Sequence, residues 1–578
     1  MKHIDNFTDA FKKEILTNSE RLRLIKLIVL GVAASLSDIL VIGLVYPFIT
    51  LLSSSNGQVS SIFPNGFLHV RTIKQELIFS CLVLLVGYVL RVLVFLAYKK
   101  SSARLRRDIY TRFSSTIFDN YLRENLEFYY SNSTSEIIRN ISAIDGYISV
   151  YIFGIATLIS ELMLGIGLIG LVTIMSPSST FPALIFCGIL GYLAHRITKS
   201  RMKRAGEKSK QAVSGRLKII QEGLRGISEI KLYSKEEFFK EEFEVHQKRA
   251  ADAECEFEVY SNLTAPLFEL VLISTLMLFT ALYVSTKTDF SPILPTLALF
   301  AGAAFRIIPS FGRVINYMQN LDFGGAIADE LRAIAVSGKE VIDHQSNTVV
   351  TNLSISDEAS LRLVNLSFSY KSKTERVISN IDMCFEHGKT YCITGESGSG
   401  KSTLVALILG LFKPIEGGVY VGDISISESM KSWQNTIGYV PQSIFLRDES
   451  IRKNITLGDS ADNPALLDQV IAQSGLQTFI SNQTLGIDTK IGESGSRISG
   501  GERQRIGIAR ALYRKPSLLV FDEATNALDQ ETEDRVLDTI FSMRGKITII
   551  LLSHNVKVAE RCDVIYKLDH ERFEEAFE

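Results

Sequence analysis

The sequence predicts two unlike halves. Residues 1–330 read as a bundle of six membrane-crossing α-helices. Past a linker at 331–358, residues 359–578 read as an α/β domain built around a phosphate-binding loop. Three observations carry this. Long apolar runs crowd the chain before about residue 320 and stop there. Basic residues gather in alternate connections between those runs. A glycine-rich loop, GESGSGKS, stands between an apolar stretch and one with helical spacing. At 578 residues the chain is too long for one core, and a formal net charge of −1 gives no case for a nucleic-acid partner.

The candidate spans are residues 24–52, 77–98, 147–175, 181–195, 265–285 and 292–315, against the roughly 20 apolar residues that a helix needs to cross a bilayer. The fourth is short and forms a hairpin with the third across SPSST (176–180), expected to be a tight external turn. The polar start of the chain, followed by an apolar run too long for a signal peptide, predicts a first span and no cleavable signal. Lysine and arginine cluster at 12–26, 99–107 and 196–204 and are sparse at 53–76, 176–180 and 286–291, which predicts that both termini are cytoplasmic. Residues 99–146 and 196–264 are charged with a helical pattern, so the spans are expected to continue as helices beyond the bilayer. The six cysteines form no CxxC pair, which argues against a zinc site or a disulfide framework and for small apolar side chains in a reducing compartment.

Asp38, Arg91, Glu161, Glu269, Arg306 and Arg313 interrupt the apolar runs. A charge at that depth costs several kcal/mol unless it has a partner or a cavity. Acid–arginine pairing between helices is one reading. The other is that Arg91, Arg306 and Arg313 exceed what their own helices neutralise and receive an anionic cargo.

In the second half, residues 391–393 form a short buried strand, and the chain from Lys401 has helical spacing. Between them Gly395, Glu396, Ser397, Gly398, Ser399, Gly400, Lys401, Ser402 and Thr403 make a loop whose amides curl round phosphates at a helix N-terminus. Lys401 is placed for the β- and γ-phosphates of ATP and Ser402 for Mg²⁺. SLLVF (517–521) is a second buried strand. It delivers Asp522 to hold Mg²⁺ and Glu523 to polarise the attacking water. ISGGERQ (498–504) places another glycine pair at a helix start, a second anion-binding terminus carried by Ser499, Gly500, Gly501 and Glu502.

These residues resemble the ATPases of ABC transporters, whose signature most often reads LSGGQ; here Ile498 and Glu502 stand for leucine and glutamine. In that family the signature of one subunit closes over ATP held by the other. The resemblance implies further roles. Tyr370 would stack on adenine. Gln442 would sense Mg²⁺. Residues 489–495 would form the exporter cross-linking loop, and 526–529, ending at Asp529, a dimer-facing loop. His554 would contact the γ-phosphate, and Asn555 replaces the arginine that often follows it. One copy of each motif implies a homodimer of twelve spans with two composite sites.

The whole chain resembles type IV ABC exporters, with 128–141 and 226–239 similar to their coupling helices. Within them it resembles the PglK-like flippases of lipid-linked oligosaccharides, through SDILVIGLVYPFITLL, Arg91 and FRIIPSFGRVINYMQNL. The implied cargo is a polyprenyl-pyrophosphate glycan, handled in that group by cavity arginines, here Arg91, Arg306 and Arg313. The implied location is the bacterial inner membrane. A basic residue expected early in the fifth span is replaced by APLFEL, and 58–69 resembles the group's short external helix. The alternatives are an exporter of another lipid, a peptide or a drug, and an ATP-gated channel or regulatory protein.

Overall fold

The computed structural model describes residues 16–53, 73–175, 177–286, 293–347, 359–370, 376–396, 398–459, 463–523, 530–569 and 572–575. The expectations placed on 58–69, Ser397 and 526–529 lie outside the described residues. The chain divides into two units, Met1–Glu124 with Asn132–Asp343 and Asn125–Ser131 with His344–Glu578.

The first unit is helical. Its long elements are α1 (Asn18–Ser53), α2 (Ile73–Arg123), α5 (Gly154–Met175), α6 (Pro177–Arg225), α8 (Glu236–Thr286) and α9 (Ile293–Asn347). Short helices α3 (Leu126–Ser131) and α4 (Thr134–Ser142) lie between α2 and α5, and α7 (Ile227–Leu232) between α6 and α8. With 51 residues, α2 is about 75 Å long, more than twice the hydrocarbon thickness. Among the described residues, Asn18–Ile49, Leu77–Arg123 and Ile144–Ile174 are long and apolar enough to cross a membrane. On α2, Leu82, Leu85, Val89 and Leu93 are at least half exposed, as a lipid-facing surface requires.

Two sequence expectations change here. α6 begins at Pro177, so 177–180 belong to the helix and not to a turn. Proline suits a first helical position, where its missing N–H is not needed. α9 runs to Asn347, well into the polar stretch expected as a linker. Alanine, glutamate, lysine and leucine sustain a helix there without an apolar environment.

Close packing and buried polar links hold this bundle. A side chain at Gly31 would run into Ser160, and one at Gly167 into Ile39, so α1 and α5 approach closely. The Ser35 hydroxyl donates across the same seam to the Ser160 carbonyl at 2.8 Å. Beyond the apolar region Arg139 of α4, 4% exposed, donates to Ser214 of α6 and to Glu330 of α9, which Lys210 also reaches. The stretch expected as one coupling helix, 128–141, is thus two helices in different units. α3 belongs to the second unit, where Leu126 packs on the core and Tyr130 lies 6.0 Å from Phe412 and 6.2 Å from Tyr370.

The second unit contains two sheets. β1 (Leu361–Phe368), β2 (Ile378–Phe385), β4 (Glu416–Val421) and β5 (Ile424–Ser425) form an antiparallel sheet in the order β2-β1-β4-β5. The other sheet has the order β10-β9-β3-β8-β7-β6. It comprises β3 (Thr390–Gly395), β6 (Ile437–Val440), β7 (Leu518–Asp522), β8 (Thr548–Leu552), β9 (Val564–Asp569) and β10 (Arg572–Glu575). All its pairs are parallel except β9–β10. β8 is buried along its whole length, which explains its unbroken apolar sequence TIILL. Polar groups therefore collect at the carboxyl ends of these strands.

Candidate active site

The phosphate loop joins β3 to α10 (Lys401–Ile408). Gly395 has φ 152°, and a side chain there would meet the carbonyl of Leu568 on neighbouring β9. Gly400 caps α10 at φ 96° with no side-chain cap, so the first-turn amides of the helix are left for another acceptor. The Ser399 hydroxyl is buried with no hydrogen-bond partner among the described residues. Lys401 is 7% exposed and folds back on the loop, donating to the carbonyls of Gly395 and Glu396 at 2.7 Å each. Burial holds its ammonium below the ordinary lysine range, opposed by Glu523 and Asp522. Open amides, an orphaned hydroxyl and a cation spending its hydrogen bonds on loop carbonyls fit a polyphosphate.

β7 ends at this loop. Asp522 is half-buried, and burial raises its carboxyl above the usual range; Glu523 adds to the rise, while Tyr439 and Lys401 oppose it. The Tyr439 hydroxyl donates to Asp522 Oδ2 at 3.3 Å. Glu523 follows at φ 49°, a left-handed conformation costly for any residue with a Cβ. Its amide donates to the Leu552 carbonyl at 3.2 Å. Its carboxylate accepts from Gln442 Nε2 at 2.9 Å and lies 3.2 Å from His554 Nε2. Two residues from separate segments thus converge on one carboxylate. Ser402 is exposed on the first turn of α10. With Asp522 and Gln442 it offers oxygen donors suited to Mg²⁺, which is held by few protein ligands when phosphate oxygens complete its shell.

Tyr370 is half-buried. Its hydroxyl lies 2.9 Å from Thr403 Oγ1, and its ring meets Phe368 and Phe412 edge-on. Ser499 caps α11 (Gly500–Tyr513) in a full capping box: its hydroxyl accepts from the Glu502 amide at 3.3 Å, and Glu502 accepts from the Ser499 amide at 2.7 Å. The apolar face of α11 packs in a core around Val440, Ile444 and Ile455, whereas α10 packs in a separate core with β1 and β2. The two glycine-led helices are therefore carried by different parts of the unit.

Sequence reasoning missed one residue here, Tyr439, and left another, Asn555, without a role. Tyr439 pairs in register with Val520 of β7 and so shares a strand face with Asp522; only the pairing reveals it. Asn555 caps α12 (Val556–Ala559), accepting from the Lys557 amide at 3.1 Å, which accounts for an asparagine after His554.

In the helical unit, Asp38 of α1 accepts from Arg91 of α2 and Arg306 of α9, while Arg313 donates to both oxygens of Glu161 at 2.6 and 2.9 Å. The expected excess of arginine is smaller than each helix suggests, because the acids arrive from neighbouring helices. Asp38, Glu161, Arg306 and Arg313 line a cavity of about 220 Å³ together with Lys99.

Residues 378–526 match the family described as "ABC transporter", and residues 24–303 match "ABC transporter transmembrane region". Among curated proteins, "ATP-dependent lipid A-core flippase 2" of Colwellia psychrerythraea is 29% identical over 50% of this chain and 53% of its own. "Heterocyst differentiation ATP-binding protein HepA" of Nostoc sp. is 29% identical over 62% of this chain and 58% of its own. The chain thus spans little more than half the length of these two relatives. "ATP-dependent lipid A-core flippase" of Saccharophagus degradans is 26% identical over 81% of this chain and 78% of its own. A solved structure, "Structure of a bacterial Atm1-family ABC exporter with ATP bound", superposes with a TM-score of 0.75 at 22% identity, covering 96% of this chain and 94% of that one. It shares the fold.

Proposed function

We propose, from the premise that this chain belongs to the ABC transporters and joins their transmembrane region to their ATPase domain, that two copies use ATP hydrolysis to move an anionic lipid across the bacterial inner membrane. The observation that carries the ATPase reading is Glu523, aimed by a left-handed backbone and gripped between Gln442 and His554, one residue past Asp522.

The chemistry follows from these groups. ATP entering the loop takes the open amides of α10 and the Ser399 hydroxyl, and Lys401 exchanges loop carbonyls for phosphate oxygens. Glu523 orients water and draws its proton, with Gln442 and His554 fixing the carboxylate. Mg²⁺, when bound, supplies charge neutralisation at the phosphates, and Ser402, Asp522 and Gln442 would hold it. Ser499, Gly500 and Gly501 of the second copy would close over the nucleotide, as would Asp529 at the dimer face. Closure then moves the helical units through segments such as α3, which packs within the ATPase unit although α2 and α4 flank it in the chain.

The cargo class is supported by the lipid A-core flippases among the relatives and by the arginine-lined cavity. A polyprenyl-pyrophosphate glycan fits the sequence resemblance and the surplus of arginine. In proteoliposomes, the protein with ATP should translocate a fluorescent polyprenyl-pyrophosphate sugar faster than protein-free liposomes do. Glu523→Gln should retain ATP binding but lose about 100-fold or more in hydrolysis and all ATP-dependent translocation. Equal rates for wild type and empty liposomes would sink the cargo; full hydrolysis by Glu523→Gln would sink the catalytic assignment.

A further inference from the structure

The charged groups in the helical unit form two rungs. Arg306 and Arg313 stand seven residues apart on α9, two turns on one face and about 10 Å along its axis. The outer rung is Arg313 with Glu161, beside Lys99, where the basic run of α2 begins. The inner rung is Asp38 between Arg91 and Arg306. The cavity runs past both.

Three features set this apart from simple helix-to-helix pairing. Asp38 is shared by two guanidiniums, and its side chain is 8% exposed, so one carboxylate serves two cations in a dry setting. Arg306 Nε is buried and has no partner among the described residues, which leaves a donor open beside the cavity. Among the described charges, four cations (Arg91, Lys99, Arg306, Arg313) face two carboxylates (Asp38, Glu161), leaving two positive charges uncompensated. Charge within or beside an apolar span is costly unless compensated, so an anion of two charges would complete the cluster.

Resting on the cargo reading above, we infer that Asp38 and Glu161 are resident counter-anions that determine cargo specificity by charge. Each holds a place that an incoming headgroup must take. A tethered carboxylate competes at a high effective concentration. A singly charged phosphodiester offers the arginines no more than the carboxylate already gives, whereas a pyrophosphate or phosphomonoester brings at least two charges and spare acceptor oxygens for Arg306 Nε. The acids therefore exclude monoanionic bulk phospholipid from a site whose arginines alone would bind it.

The test uses the full chain in phosphatidylcholine nanodiscs at pH 8 with two fluorescent probes, phosphatidylglycerol with one charge and farnesyl pyrophosphate with at least two. Wild type is expected to prefer the pyrophosphate by about tenfold or more. Asp38→Asn should strengthen phosphatidylglycerol binding about tenfold and shrink the preference below about threefold. Asp38→Glu should keep the preference, and Glu161→Gln should weaken it in the same direction. If Asp38→Asn does not assemble, Glu161→Gln and Asp38→Glu still decide the matter. A merely structural role would weaken both probes equally and overturns the inference, as does a preference unchanged in the neutralised variants. Wild type binding neither probe defeats the cargo reading itself; pyrophosphate binding with an unaltered preference defeats only this inference.

Discussion

Glycine stands at the N-termini of both α10 and α11, as the cap Gly400 of the first and as the opening residues Gly500 and Gly501 of the second, and both point to an anion in the sequence, yet their chemistry differs. α10 is capped by Gly400 with no side chain, next to a hydroxyl without a partner and a lysine bonded to its own loop. Its first-turn amides and the Ser399 hydroxyl are unspent. α11 is capped by Ser499 and Glu502 against each other, so the amides of those two residues are satisfied before any ligand arrives. The first is a receptor that needs its ligand; the second is a rigid turn that presents the Gly500 and Gly501 amides. That division suits a site in which one surface cradles the nucleotide and another, pre-shaped, closes on it.

The largest effect tests whether the two termini act on one nucleotide from different chains. Lys401→Ala should cut hydrolysis more than about 100-fold by removing the cradle's cation. Gly501→Asp should do the same for a different reason. A carboxylate there favours the helix start but repels the phosphates it faces. Co-expressed, the two variants form mixed dimers in which one site combines an intact cradle with an intact signature. Such mixing should restore about one quarter of wild-type activity, since half of randomly paired dimers are mixed and each keeps one of two sites. Membrane-vesicle ATPase assays read this directly, and no recovery would mean that each chain completes its own site.

A middle-sized effect concerns pH. Asp522 has a carboxyl raised by burial, so as pH falls it takes up a proton earlier than an ordinary carboxylate and loses its hold on the cation. At limiting Mg²⁺ the acid limb of hydrolysis should therefore begin at a higher pH than in excess Mg²⁺, because cation and proton compete. Tyr439→Phe removes a hydroxyl that favours the charged form and should move the limb higher still. An acid limb that does not respond to Mg²⁺ would assign it to another group.

What was legible in the sequence follows the range of the interactions. The cradle is read from consecutive residues because its function is local backbone geometry, and Glu523 is read because a buried strand ends one residue before it. Tyr439 was hidden, since its contact with Asp522 depends on the pairing of β6 with β7, and strand order is not written in either strand. The arginines stood out by their cost in an apolar run. So did Asp38 and Glu161, but which acid meets which arginine did not, because the partners come from different helices. The last long helix outruns its apolar span for a related reason: polarity marks where a helix leaves apolar surroundings, not where its hydrogen bonds stop.

The smallest effect separates shape from charge at α11. Glu502 stands where the related ATPases most often carry glutamine, and here its carboxylate accepts from the Ser499 amide. A glutamine carbonyl makes the same bond, so Glu502→Gln should keep the turn and leave hydrolysis within about twofold of wild type. Removing a negative charge from a phosphate-facing terminus should, if anything, lower the apparent KM for ATP. Glu502→Ala loses the reciprocal bond, at about 1 kcal/mol, and the resulting loose turn should lower kcat several-fold. An equal loss in both variants would show that the carboxylate charge acts on the reaction itself, and α11 would then be a participant in the chemistry and not a fixed surface that closes the site.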